Sequence, residues 1–263
     1  MGYLSFLFWF ILSSFLFSQP YFHDFPDDGT RELAYSVNAY HEHALKSMDY
    51  IIHSNSPGYI RLGVANHRLY NEPDGKHLVV GVHNHKWIEG TPVETGNSLH
   101  FCINGGHRSF FTVLLDNGLV GYTRDGRFRV SYDNVLVTLS GNYPVLGLNG
   151  IIKLPRRGHY TINRKGGLFV DSDFVDTFQI TSFQYFEDMN LYLEALSPTF
   201  FILTKAIETI EGFEHYNVLQ GFVTQANTFR SYDSKWYRAY HDASINSLFK
   251  LIEYRRKVFN TIN

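Results

Sequence analysis

Glycine and proline divide this chain before any side chain is considered for chemistry. Neither occurs from Arg31 to Ser54, nor from Phe222 to Asn263, while the stretch between is cut repeatedly by both. Both residues oppose helix continuation and supply turns. The pattern therefore predicts a helix, a β-rich middle and a second helix. In the first segment Leu33, Val37, Tyr40, Ala44, Ser47 and Ile51 recur at alternating spacings of four and three, a heptad-like stripe. It should stop before Ser56-Pro57-Gly58-Tyr59. From Tyr59 to Thr204 short apolar runs, such as 78–82, 99–103, 110–115, 128–130 and 178–183, alternate with turn signals such as Asp116-Asn117-Gly118 and Asn149-Gly150. That is the signature of a compact antiparallel β domain. In the last segment Trp236, Tyr240, Leu248 and Ile252 fall at partial helical spacing. The fold class expected is α+β. The N- and C-terminal helices would pack together as an assembly layer flanking a central antiparallel β domain. The boundaries expected are 19–60, 61–217 and 218–263, after a leader at 1–18. Neither terminal helix has a partner nearby in sequence, so each must pair with the other or with a neighbouring subunit.

Composition narrows the chemistry. The formal net charge is −2, which argues against general affinity for nucleic acid or anionic membrane. The single cysteine, Cys102, forbids an intrachain disulfide framework. It lies in an alternating run, where a small buried residue is the favoured reading over a nucleophile. Residues 4–17 are apolar apart from Ser5, Ser13 and Ser14. That run is short for a span of about 20 residues and suits the apolar region of a secretory leader. It predicts cleavage near Ser18 and a periplasmic mature chain with no membrane span. No Lys or Arg precedes the run, and an uncleaved anchor or a buried segment are the alternatives.

His83-Asn84-His85 places two imidazoles on one face of a strand, and His77 or His100 would extend the set toward zinc. With 13 His in the chain, a polar strand edge is the favoured reading, and neither metal nor cofactor is expected. Gly105-Gly106 and Gly166-Gly167 lack the Lys and the strand–loop–helix setting of a phosphate loop. Arg255-Arg256-Lys257 is expected in the last turns of the second helix, where cations suit the helix dipole.

Two segments carry the most information: Tyr122-Thr123-Arg124-Asp125-Gly126-Arg127-Phe128 and Tyr143-Pro144-Val145-Leu146-Gly147. Local rules predict a β-hairpin with a type I′ turn at Asp125-Gly126, then a turn whose φ is fixed by Pro144. In this wording and order they closely resemble the centre of the flagellar rod and hook proteins, where a "YTRDG-F" hairpin precedes a "YPVLG" turn. Three further stretches resemble family segments. Ile51 to Tyr59 resembles "LANANTPGY", Thr95 to Ile103 resembles "TGNPLDFAI", and Val218 to Asn227 resembles the "VRQGFLEESN" that opens the last helix. The resemblance implies a fibre subunit that catalyses nothing, closer to a rod protein than to the larger hook protein. Its helices would form an inner layer, with contacts through Leu33, Val37, Tyr40, Ile51, Trp236, Tyr240, Leu248 and Ile252. The partners implied are other rod, hook or filament subunits and copies of itself, at the basal body or a periplasmic flagellum.

The sequence departs from the family pattern in several places. The stretch after Ile103, usually "GDGFF", is the longer Asn104-Gly105-Gly106-His107-Arg108-Ser109-Phe110-Phe111. Glycines expected around 191–201 are replaced by Ser197-Pro198. In the first helix Asp49, Tyr50 and His53 stand where asparagines are usual. The leader itself is foreign to subunits that leave through the flagellum's own export channel. Two alternatives follow: an accessory or sheath protein bound to a periplasmic filament, and, from another class, a secreted β-rich ligand-binding domain.

Overall fold

The computed structural model describes residues 28–70, 77–206, 209–210, 216–228 and 230–262; the proposed leader lies outside them. The chain forms two compact units. One draws on the described parts of Met1–Asp49, Val64–His83 and Ser231–Asn263, the other on Tyr50–Gly63 and Asn84–Arg230.

The first unit contains most of two long helices, Asp28–Ile52 and Arg230–Ile262. Along the first, Val37, Ala44 and Ser47 are buried, as the heptad stripe requires. Tyr40, on the same stripe, is instead 38% exposed. Along the second, Asp233 and Ser244 are buried and Tyr237, Tyr240, Ser247 and Leu251 are half-buried. These also alternate by four and three, the spacing that keeps one seam on one side. The Ser244 hydroxyl donates to the Val37 carbonyl at 3.4 Å, and the His43 ring stacks on Tyr240 at 4.7 Å. Since 37 meets 244 and 43 meets 240, the two helices run antiparallel. Arg255-Arg256-Lys257 does not reach the final turn, because the helix continues to Ile262; all three side chains are exposed along its length. Among the described residues, no helix is long and apolar enough to cross a membrane.

The second helix begins at Arg230, not near 218–222. Residues 217–224 form two strands instead, Asn217–Gln220 and Phe222–Thr224. They pair with Phe101–Asn104 and Pro92–Glu94 respectively. Freedom from Gly and Pro after Gly221 marks helix-compatible sequence, but ladder partners far away in the chain decide the outcome for residues 222–224.

The second unit is built on a six-stranded antiparallel sheet. Its spatial order is Leu193–Ala195, Phe200–Leu203, Val120–Thr123, Ser109–Leu114, Ile180–Phe183 and Thr209–Ile210. Both faces are apolar, which explains why residues 110–115 read as a continuous run rather than an alternation. Phe111, Val113, Ile180 and Phe200 face one core. Phe110, Tyr122, Phe183 and Phe201 face the other, together with Trp87 and Met189. A three-stranded sheet, Tyr160–Ile162, Gly167–Val170 and Asp173–Thr177, adds Tyr160, Leu168 and Val170 to the first core. The Asp116-Asn117-Gly118 signal is a true turn: the Asn117 side chain accepts the Leu119 N–H at 3.0 Å. The fold is mostly β, with long helices contributed from either end of the described chain.

Candidate functional site

The motif residues converge inside the β unit. Gly58, in the turn after the first helix, has φ +75° and donates its N–H to the Thr224 carbonyl at 2.8 Å. A Cβ there would lie 2.3 Å from the Asp125 nitrogen, so the "PGY" turn is seated directly on the Arg124–Asp125 peptide. Two segments distant in sequence thus fix each other's backbone.

Arg124 is 3% exposed and fans into the long loop after Ile103. Nη2 donates to the Ile103 carbonyl at 2.9 Å; Nη1 donates to the Ser109 carbonyl at 2.8 Å and to that of Gly106. A rigid planar fork suits several divergent carbonyls better than an ammonium point charge. Its acidic partner is Glu89, 3.4 Å away and itself 8% exposed. Glu89 also accepts the Gly105 N–H at 3.0–3.1 Å, and its own N–H donates to His107 Nδ1 at 3.1 Å. Burial pushes the Arg124 pKa down, while the Glu89 carboxylate pulls it back up. The longer loop is therefore a built feature. The buried ion pair holds it through the carbonyls of Ile103, Gly106 and Ser109 and the N–H of Gly105. Beside it is a niche about the size of a single water, lined among others by Gly58, Trp87, Glu89 and Arg124.

Asp125 faces the other way and clamps Arg127 bidentately, at 2.9 and 2.7 Å. That hydrogen bond raises the Arg127 pKa. The predicted type I′ hairpin at Asp125-Gly126 is not formed. Neither residue has positive φ, and the flanking strands Val120–Thr123 and Phe128–Val130 pair with other partners. The segment crosses from one sheet to another. Gly126 is required for a different reason: a Cβ would fall 1.7 Å from the Phe101 carbonyl, and Phe101 N–H donates to the Gly126 carbonyl at 2.9 Å. Around this crossing Thr123 donates to the Thr199 carbonyl at 2.7 Å, Tyr122 packs on Phe183, and Phe128 packs on Phe101, Phe111 and Phe178.

The second motif is likewise extended rather than a turn. The Pro144 carbonyl accepts the Leu114 N–H at 2.9 Å, and Val145, fully buried, pairs across to Val113. Tyr143 meets Phe200 edge-on at 5.1 Å. Gly147 leaves room for the buried Asp176 carboxylate.

The Cys102 thiol is fully buried, 3.2 Å from the Thr224 hydroxyl, and burial pushes its pKa up, away from the thiolate. The His85 ring lies tilted against Trp87 at 4.8 Å and edge-on to Phe201 at 5.2 Å. The His77 and His83 side chains lie outside the described residues. Among the described residues no three His, Cys, Asp or Glu side chains gather to hold a metal. Of the predicted contact residues on the helices, Val37 is buried, Ile51, Tyr240 and Leu248 are half-buried, and Tyr40, Trp236 and Ile252 are exposed. Leu33 lies on the helix, but its side chain is outside the described set. Glu89 had no local signal, because its partners Gly105 and Arg124 lie far along the chain.

Residues 102–170, which hold both motifs and most of the first core, match the flagellar hook protein FlgE/F/G D1 domain. The match places a flagellar rod/hook-family domain within this chain. No curated protein matches it. The matched span contains Arg124, Asp125 and the Pro144–Gly147 ladder. The family domain thus includes most of the junction, while Gly58, Glu89 and Thr224 are supplied from outside the span.

Proposed function

We propose that this chain is a structural subunit of the flagellar basal body, of the rod type, that assembles by its helices. The match of residues 102–170 to the flagellar hook protein D1 domain carries the reading, together with the motif resemblance to fibre-building rod and hook proteins. The helical seam supports it. Asp233, Ala44, Ser47 and Ser244 are small or polar for a closed two-helix core, and Tyr232, Trp236, Phe249, Ile252 and Phe259 remain exposed along one helix. Exposed aromatics in such number along one helix fit surfaces covered by neighbouring subunits. The contact set is Leu33, Val37, Tyr40, Ile51, Trp236, Tyr240, Leu248 and Ile252. The subunit contributes to motility through heterologous contacts that repeat along a tube. It reaches the periplasm through a leader removed near Ser18.

Fractionating flagella into hook–basal bodies and filaments, then sequencing the mature N-terminus, tests this directly. A chain starting near Gln19 in basal bodies is the expected result. The same form confined to filaments would make the protein an accessory coat, and absence from both would overturn the structural reading.

A further inference from the structure

The β unit is assembled from two separated stretches, Tyr50–Gly63 and Asn84–Arg230. We infer that Asn227 is the clasp that closes these stretches together, and that the clasp opens locally while the six-stranded sheet stays folded. Its side-chain oxygen accepts the Arg61 N–H at 2.7 Å. Its amide nitrogen donates to the Lys86 carbonyl at 3.1 Å and the Ile88 carbonyl at 2.9 Å. Its own N–H reaches the Tyr59 carbonyl at 3.4 Å, and Lys86 N–H donates to the Arg61 carbonyl at 2.8 Å. One residue therefore ties the stretch before the first excursion from the unit, the stretch after it and the stretch leading to the last helix.

Asparagine is the residue type that does this. It offers one acceptor and two donors on a short stem; Asp has no donor, and Gln places the same groups one carbon further out. The apolar support is modest. Tyr50, Tyr59 and Ala226 form a small cluster apart from the two main cores, with the Arg61 guanidinium 4.2 Å over the Tyr50 ring. Ile60 and Trp87 anchor the region to the second core. A region whose own cluster is small and whose hydrogen bonds converge on one side chain sits lower on the scale of local stability than the main cores. If the subunit assembles as proposed above, the clasp lets the flanks of both helices be reset during docking without unfolding the body.

Native-state amide exchange on the full chain tests the clasp without any flagellar structure, so its outcome is independent of the assembly reading. The reporters are the Gly58 N–H, bonded to Thr224, and the Lys86 N–H, bonded to Arg61; neither touches the Asn227 side chain. The reference is the Val145 N–H, bonded to Leu136 in the main core. In Asn227→Ala both reporters should exchange about 10–100-fold faster, by a common factor, with Val145 unchanged. Asn227→Asp, which keeps the acceptor but loses both donors, should free Lys86 as well. Unchanged reporters in both variants, or acceleration that includes Val145, would overturn the inference. Should the variants not fold, the wild-type chain in mild urea decides. Gly58 and Lys86 must open together below the level of Val145, and opening at the level of Val145 refutes the clasp.

Discussion

Replacing Glu89 with alanine is the sharpest test of how the junction is held. The substitution removes one carboxylate, but its effect falls on what stays behind. The Arg124 guanidinium, 3% exposed, loses its acidic partner, and the Gly105 N–H loses both of its acceptor oxygens. Breaking a buried ion pair from one side costs about 3–5 kcal/mol, mostly as the desolvation of the charge left unpaired. For a domain of this size that corresponds to a fall in melting temperature of roughly 6–20 °C. Thermal unfolding of the purified chain, followed by near-ultraviolet circular dichroism from the Trp87 region, reads it out. The variants Glu89→Leu and Arg124→Met, alone and combined, supply the control. With both charges gone, no ion is stranded, so the double variant should lose less than the two single losses added together. A loss below about 1 kcal/mol in Glu89→Ala, or strict additivity in the double variant, would show that the pair is decorative and that the loop is held by its backbone alone.

Gly126→Ala should destabilise the β unit by more than about 2 kcal/mol in urea unfolding, because the new methyl must displace the Phe101 backbone rather than a side chain. Phe111→Ala, at a fully buried site against Phe128 and Phe178, should cost about 3–5 kcal/mol by the same assay. Cys102 should resist a thiol reagent in the folded chain at neutral pH and react on unfolding. Burial raises its folded pKa, so the unfolded chain loses this proton first and stability should fall as pH climbs through the ordinary thiol range. Cys102→Ala should flatten that alkaline limb in a pH series of melting temperatures. Val37→Asp, which buries a carboxylate beneath Ser244, should abolish assembly in a sedimentation assay while strand circular dichroism of the β unit persists.

Local rules recovered what local physics controls. The Gly- and Pro-free stretch from Arg31 is a helix ending at Ile52, ahead of Pro57, and nearly every apolar run in the middle is a strand. They failed where a distant partner overrides the neighbourhood. Asp125-Gly126 has the composition of a hairpin turn, yet the Phe101 carbonyl and the Gly58 turn dictate its path. The start of the last helix is misplaced because residues 217–224 have strands waiting for them. Arg124 stood out through its motif, whereas Glu89, which completes it, is one acidic residue in an ordinary loop. Its role exists only once residues 89, 105 and 124 meet.

Among the described residues, the six-stranded sheet ends on one side with the three residues of Leu193–Ala195 and on the other with the two of Thr209–Ile210. A sheet edge is a template for any stray strand, and long edges invite sheet-to-sheet fusion. A subunit assembled as proposed above would meet that hazard at high local concentration. Edges this short offer little backbone for accidental pairing. Accidental pairing through these edges is disfavoured, and in an assembly of copies the contacts would be decided by side chains, whose pattern can be specific, rather than by the backbone, which is the same in every protein.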